Sequence, residues 1–116
     1  MKATEILGTV SAAANKTSIY YGLGDLTGYA IQVIFSGGGS DLVGTLTLES
    51  SCDMTQPPTE FTTITGTSQA VTASAKHTWN VSGAQYPYVR AKWVFTSGTG
   101  NITMNITAKE NVIKGA

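Results

Sequence analysis

Between Tyr86 and Lys109 the chain alternates apolar and polar residues in two successive runs, YPYVRAKWVF and NITMNITAK, with TSGTG between them. In the first run Val89, Ala91, Trp93 and Phe95 share one face, while Tyr88, Arg90, Lys92 and Val94 share the other. In the second, Ile102, Met104, Ile106 and Ala108 oppose Thr103, Asn105, Thr107 and Lys109. A period of two marks half-buried β-strands, because successive side chains leave opposite faces of a pleated backbone. The glycines of the connection tolerate positive φ and predict that the two runs fold back on each other as an antiparallel hairpin. A lone hairpin is marginal in water. Its apolar face, led by Trp93 and Phe95, therefore calls for a second sheet, each such ring contributing roughly 2–3 kcal/mol when fully buried.

The same alternation recurs upstream. Tyr29, Ile31, Val33 and Phe35 align on one face of YAIQVIF, and Leu46 and Leu48 point inward from GTLTLES, with Thr45, Thr47 and Glu49 outward. HTWNVS places Trp79 and Val81 together; TSIYY (17–21) reads as a short strand, and residues 61–64 and 70–75 as two weaker ones. The SGGGS run at 36–40 holds regular structure only at a high entropic cost, and Pro57-Pro58 cannot donate to a sheet ladder. Seven to eight short strands with no convincing helix predict an all-β antiparallel sandwich, jelly-roll or Ig-like. Residues 1–16 are expected to form an extended arm or edge strand, and residues 17–116 a single sandwich domain.

Composition sharpens this picture. The chain has 116 residues, enough for one core. Only 12% are charged, 41% are apolar, and the formal net charge is zero. A neutral chain lacks the basic field that tracks nucleic acid or an anionic membrane, and it lacks the self-repulsion that keeps copies apart. With a single cysteine, Cys52, no intrachain disulfide is possible. No apolar h-region or span of roughly 20 apolar residues is seen, so synthesis in a cytoplasm-like compartment is expected.

From Gly28 onward the order of elements is GYAIQVIF, a glycine-rich loop, GTLTLES, a polar stretch, HTWNV, and then YPYVR…TSGTG with a closing strand. This resembles small β-sandwich proteins of tailed-bacteriophage virions, on Gly44 to Ser50, Trp79, Tyr86 to Arg90 and Thr96 to Gly100. The N-terminal segment carries no part of the likeness. Pro57-Pro58 departs from it, standing where such proteins more often carry a Trp or a Gly-rich turn. The resemblance implies a structural subunit of the virion, made in the host cytoplasm and present in many copies. It would be a capsid decoration protein or a neck or tail accessory protein, bound to the major capsid protein or other virion proteins, with no catalysis, cofactor, nucleic acid or membrane.

Candidate chemistry is sparse. His77 is the single histidine, and no G-x-S-x-G, H-E-x-x-H or Walker motif accompanies it. The acidic residues Asp25, Asp41, Glu49, Asp53 and Glu60 do not cluster as a D-x-D calcium loop and read as solvated carboxylates or turn caps. Cys52 has no cationic neighbour in sequence to activate it and reads as a buried or half-exposed thiol. Four N-x-[ST] triplets, at Asn15, Asn80, Asn101 and Asn105, are what chance provides in so Thr- and Asn-rich a chain.

The candidate interface comprises Tyr20, Tyr21, Tyr86, Tyr88, Arg90 and Lys92. Tyrosine gives contact area at low entropic cost. Arg90 and Lys92, two apart on an outward face, call for an anionic neighbour, either Glu49 of the same chain or an acidic patch on a partner. A carbohydrate-binding module, stacking sugars on Tyr and Trp, is the alternative reading. The alternation around Trp79 and Trp93 predicts that both lie inside.

Overall fold

Each strongly alternating run becomes a strand. In the computed structural model, which describes residues 3–23, 26–37, 41–53, 55, 57–71, 76–82 and 87–110, ten strands follow one another. They are β1 (Ala3–Ser11), β2 (Lys16–Thr17), β3 (Tyr21–Gly22), β4 (Leu26–Ser36), β5 (Val43–Ser51), β6 (Thr62–Thr63), β7 (Gln69–Val71), β8 (Lys76–Ser82), β9 (Tyr88–Ser97) and β10 (Asn101–Glu110). All pairings are antiparallel. One sheet has the order β1-β10-β4-β8; the other is built on the β9–β5 pair, with β2 and β3 flanking β9 and β6 and β7 flanking β5.

The short strands are fragments of two longer edges. Between β2 and β3, the Ser18 N–H donates to the Ala91 carbonyl at 2.9 Å and the Ser18 Oγ accepts the Ala91 N–H at 2.9 Å. The side chain thereby completes a ladder that the backbone interrupts. Between β6 and β7, the Ile64 N–H donates to the Leu48 carbonyl at 2.8 Å and Thr67 Oγ1 accepts the Leu48 N–H at 3.1 Å. Joining the fragments turns ten strands into eight, and the connections out of β1, β3, β4, β7, β8 and β9 all change sheets. That is the double Greek-key connectivity of a jelly roll, which settles the choice between jelly-roll and Ig-like sandwiches.

The expected hairpin does not form. The strands on either side of Ser97–Gly100 lie in different sheets, β9 between β2/β3 and β5, and β10 between β1 and β4. The connection is an arch across the sandwich, whose sheets stand about 10 Å apart. Alternation specifies which side of a strand is buried and leaves its neighbour open, since both arrangements turn Trp93 and Met104 inward. Gly98 shapes the arch: its φ is +95°, and any Cβ there would strike the Asp41 carbonyl.

The core is centred on Trp93, which is fully buried together with Ile31, Leu46, Leu48, Ile102 and Met104. Its ring lies 5.0 Å from that of Phe35 on the opposite sheet. The indole N–H donates to the Ala12 carbonyl at 2.8 Å, so burial leaves no orphaned donor. Gly44 makes room for the ring, because a side chain there would occupy the space of the indole.

β1 is the outer strand of the four-stranded sheet. It buries Ile6, while the segment after it supplies Trp93 with its acceptor at Ala12. Main-chain bonds seal this side of the sandwich: the Ile19 N–H reaches the Ile6 carbonyl at 3.0 Å and the Ala12 N–H reaches the Gly100 carbonyl at 2.8 Å.

Candidate interaction surface

The outer face of the six-stranded sheet gathers most of the residues singled out in the sequence. β9 turns Tyr88, Arg90, Lys92 and Val94 outward, in register with Ser51, Glu49, Thr47 and Thr45 of β5. Glu49 thus stands directly opposite Arg90, and Arg90 Nε donates to its Oε1 at 2.7 Å. The intrachain partner is therefore the one that Arg90 finds. The pair is far from a solvated surface bridge: the Glu49 side chain is 8% exposed and that of Arg90 30%. The Phe61 ring lies under the guanidinium at 4.0 Å. Arg90 is held by a carboxylate on one side and an aromatic face on the other, an arrangement suited to its planar, weakly hydrated group.

The covering of Glu49 and the placing of Phe61 depend on the segment between β5 and β6, which folds around Asp53. Asp53 Oδ1 accepts the Thr55 N–H at 2.9 Å, and Oδ2 accepts the N–H groups of Thr59 at 2.8 Å and Glu60 at 3.1 Å. Bonds from the Thr59 and Thr55 amides first of all hold the Asp53 carboxyl well below the usual range. The turn-cap reading of this carboxylate is thus correct. Cys52, beside it, is exposed, in contrast to the buried or half-exposed thiol expected. Here the chain leaves β5 and the pleat no longer turns alternate residues inward.

Tyr20 and Tyr88 meet at the β3 end of this face, their rings perpendicular with centroids 5.5 Å apart. Tyr20 is 38% exposed, Ile19 beside it 65%, and Val94 farther along β9 37%. Tyr21, in contrast, packs its ring against the core. Tyr86 lies outside the described residues. Lys92 stands in register with Thr47 and Thr17, and among the described residues no carboxylate lies within ion-pair distance of it. The structure thus brings Tyr20, Tyr88, Arg90 and Lys92 onto one face: aromatic at one end, cationic at the centre and aliphatic beyond. Phe61 was missed in the sequence because it immediately precedes a two-residue strand, β6, too short to show a period. An aromatic residue just past a Pro-Pro break was the available signal.

Elsewhere the chemistry is that of packing. His77, on the opposite sheet, stacks edge-on against Trp79 at 4.8 Å, its Nε2 buried without a hydrogen-bond partner. Burial lowers its pKa from the ordinary histidine value. The Trp79 N–H donates to the Thr67 carbonyl at 3.0 Å. Both indoles are therefore committed to main-chain carbonyls within the sandwich, as their alternation predicts. Burial pushes the Tyr29 hydroxyl up to about 12. A cleft of about 480 Å³ beside the end of β5 is lined by Ser50, Ser51, Cys52, Glu60 and the 62–65 segment. No group of three or more metal-ligating side chains occurs among the described residues.

No family model and no curated protein matches the chain. Several solved structures share its fold, among them two that match nearly the whole of this chain. One is the PBSX exported protein XepA, with a TM-score of 0.68 at 14% identity, covering 99% of this chain and 39% of that one. The other is the SPBc2 prophage-derived protein YomS, with a TM-score of 0.55 at 12% identity, covering 93% of this chain and 92% of that one. This chain thus spans about two-fifths of the length of the XepA chain and nearly all of that of YomS. These two proteins are phage-derived.

Proposed function

We propose that this protein is a structural subunit of a bacteriophage particle, a capsid decoration or accessory protein that docks onto other virion proteins through the outer face of its six-stranded sheet. The observation that carries this reading is the shared location of Tyr20, Tyr88, Arg90 and Lys92 on that face, with Val94 exposed beside them. Its support is the phage origin of XepA and YomS, two proteins with the same fold. An aromatic and Arg-containing patch is the composition of interface hot spots. The Tyr20–Tyr88 pair offers rigid contact area, and Lys92 offers a cation to an acidic partner. Modest contacts of this kind suffice when many copies sit on one particle, because each contact made raises the effective concentration for the next.

The test is mass spectrometry and cryo-imaging of purified particles, which should find the chain in mature virions in many copies. Its absence from them would end the proposal. Tyr20→Ser and Tyr88→Ser, which leave the core alone, should reduce occupancy on particles more than Thr103→Ser on the opposite sheet. Equal occupancy for all three would remove this face from the docking role.

A further inference from the structure

The two sides of the jelly roll are finished differently. On the β1 side the edge is interrupted by two register shifts and capped by the Ile19-to-Ile6 main-chain bond. Among the described residues the β8 side carries none of these devices. β8 pairs with β4 over seven consecutive residues without a register shift, has no proline, and holds a single charged residue, Lys76. Among the described residues no backbone group bonds to its outer side. Natural sheets interrupt such an edge unless something pairs with it.

The direction of the free groups follows from the pairing. The Val81 carbonyl points at β4, lying 3.0 Å from where a Cβ of Gly28 would be. Antiparallel residues alternate in the side to which their N–H and C=O turn, so His77, Trp79 and Val81 bond inward to β4. Thr78 and Asn80, with Lys76 and Ser82 at the ends, offer their N–H and C=O groups outward. We propose that β8 pairs with β8 of a second copy, antiparallel about a two-fold axis at Trp79, joining two four-stranded sheets into one of eight.

The strand is complementary to a second copy of itself. Only the register centred on Trp79 uses all seven residues of β8. It sets Thr78 opposite Asn80 of the other copy and Lys76 opposite Ser82, so every outward-directed backbone group finds a partner and no two like charges meet. A register shifted by two residues in either direction leaves one end of the strand unpaired. The chain's zero net charge adds no long-range repulsion between copies. An isologous contact of this kind closes on itself as a dimer. It lies on the sheet opposite the proposed docking face and does not depend on that role.

The experiment uses the purified chain without phage. Sedimentation equilibrium should show a reversible dimer, and amide exchange at Thr78 and Asn80 should slow as concentration rises. The double variant Thr78→Lys/Asn80→Lys sets like charges opposite each other and should weaken the dimer tenfold or more. Thr78→Glu/Asn80→Lys sets opposite charges there and should restore it, with the melting temperature of the monomer unchanged in both. Thr78→Pro removes one outward N–H that β4 does not use and should also weaken the dimer. A chain that stays monomeric at high concentration overturns the proposal, as does a dimer indifferent to all three variants. So does an edge that binds only a strand of another protein.

Discussion

The two outer faces of this sandwich are built from strands of similar pattern and end as different surfaces. On the four-stranded sheet, β10, β4 and β8 present Asn105, Gln32 and Thr78 in one row and Thr107, Ala30 and Asn80 in the next. Its side-chain hydrogen bond between Thr9 and Thr103, at 2.7 Å, is exposed. On the six-stranded sheet the chain returns over its own strands, so that Glu49 is 6% exposed although it points outward. Strand alternation assigns polar residues to both outer faces. Whether those residues meet water or more protein depends on where the long connections travel.

Substitutions measure that contrast. The largest expected effect comes from the core that both faces share: Trp93→Ala should cost about 3–5 kcal/mol by denaturant unfolding. Trp93→Phe should cost less, keeping a ring but losing the bond to Ala12. A cost below 1 kcal/mol for Trp93→Ala would mean that the two layers do not pack on this ring.

Next is the covered face. Arg90→Ala strips a nearly buried Glu49 of its partner and should cost roughly 2–3 kcal/mol. Thr103→Ala on the uncovered face should stay within about 0.5 kcal/mol. Phe61→Ala combined with Arg90→Ala should cost less than the sum of the single changes, because the two side chains act in one contact. Strict additivity would show the ring contact to be idle.

A smaller, pH-dependent effect comes from the loop. The Asp53 carboxyl titrates lower in the folded protein than in the unfolded chain, so its contribution is complete above the unfolded value of about 3.9 and fades as pH falls toward the folded value. The melting temperature of Asp53→Ala should therefore differ from that of the parent at pH 6 and converge on it in strong acid. Parallel curves from neutral pH to pH 2 would refute the cap. The smallest effect is expected at Thr9→Val, which removes one exposed hydroxyl pair and should move stability by less than about 0.5 kcal/mol.

The candidate site was legible in part. Arg90 and Glu49 announced themselves by their outward positions on two strong strands, and Tyr88 by the same alternation. Tyr20 and Tyr21 were not separable in sequence. They follow a break in the edge strand, where Ser18 replaces a backbone partner with its side chain, and the exposed and packed positions there do not follow a simple period. Phe61 and Asp53 act through a loop whose path is set by four hydrogen bonds to one carboxylate.

The order of residues alone determined the all-β class, the inward faces of β4, β5, β9 and β10, and the burial of both tryptophans. These are properties of a single strand, in which a period of two sorts side chains between oil and water without reference to a neighbour. Partner choice was decided only in three dimensions. The link after β9 became an arch and not a hairpin, and eight strands closed as a jelly roll, because pairing depends on which strands from distant parts of the chain arrive alongside. Main-chain hydrogen bonds are the same for every residue except proline, so they record no preference in the sequence until packing has selected the neighbour.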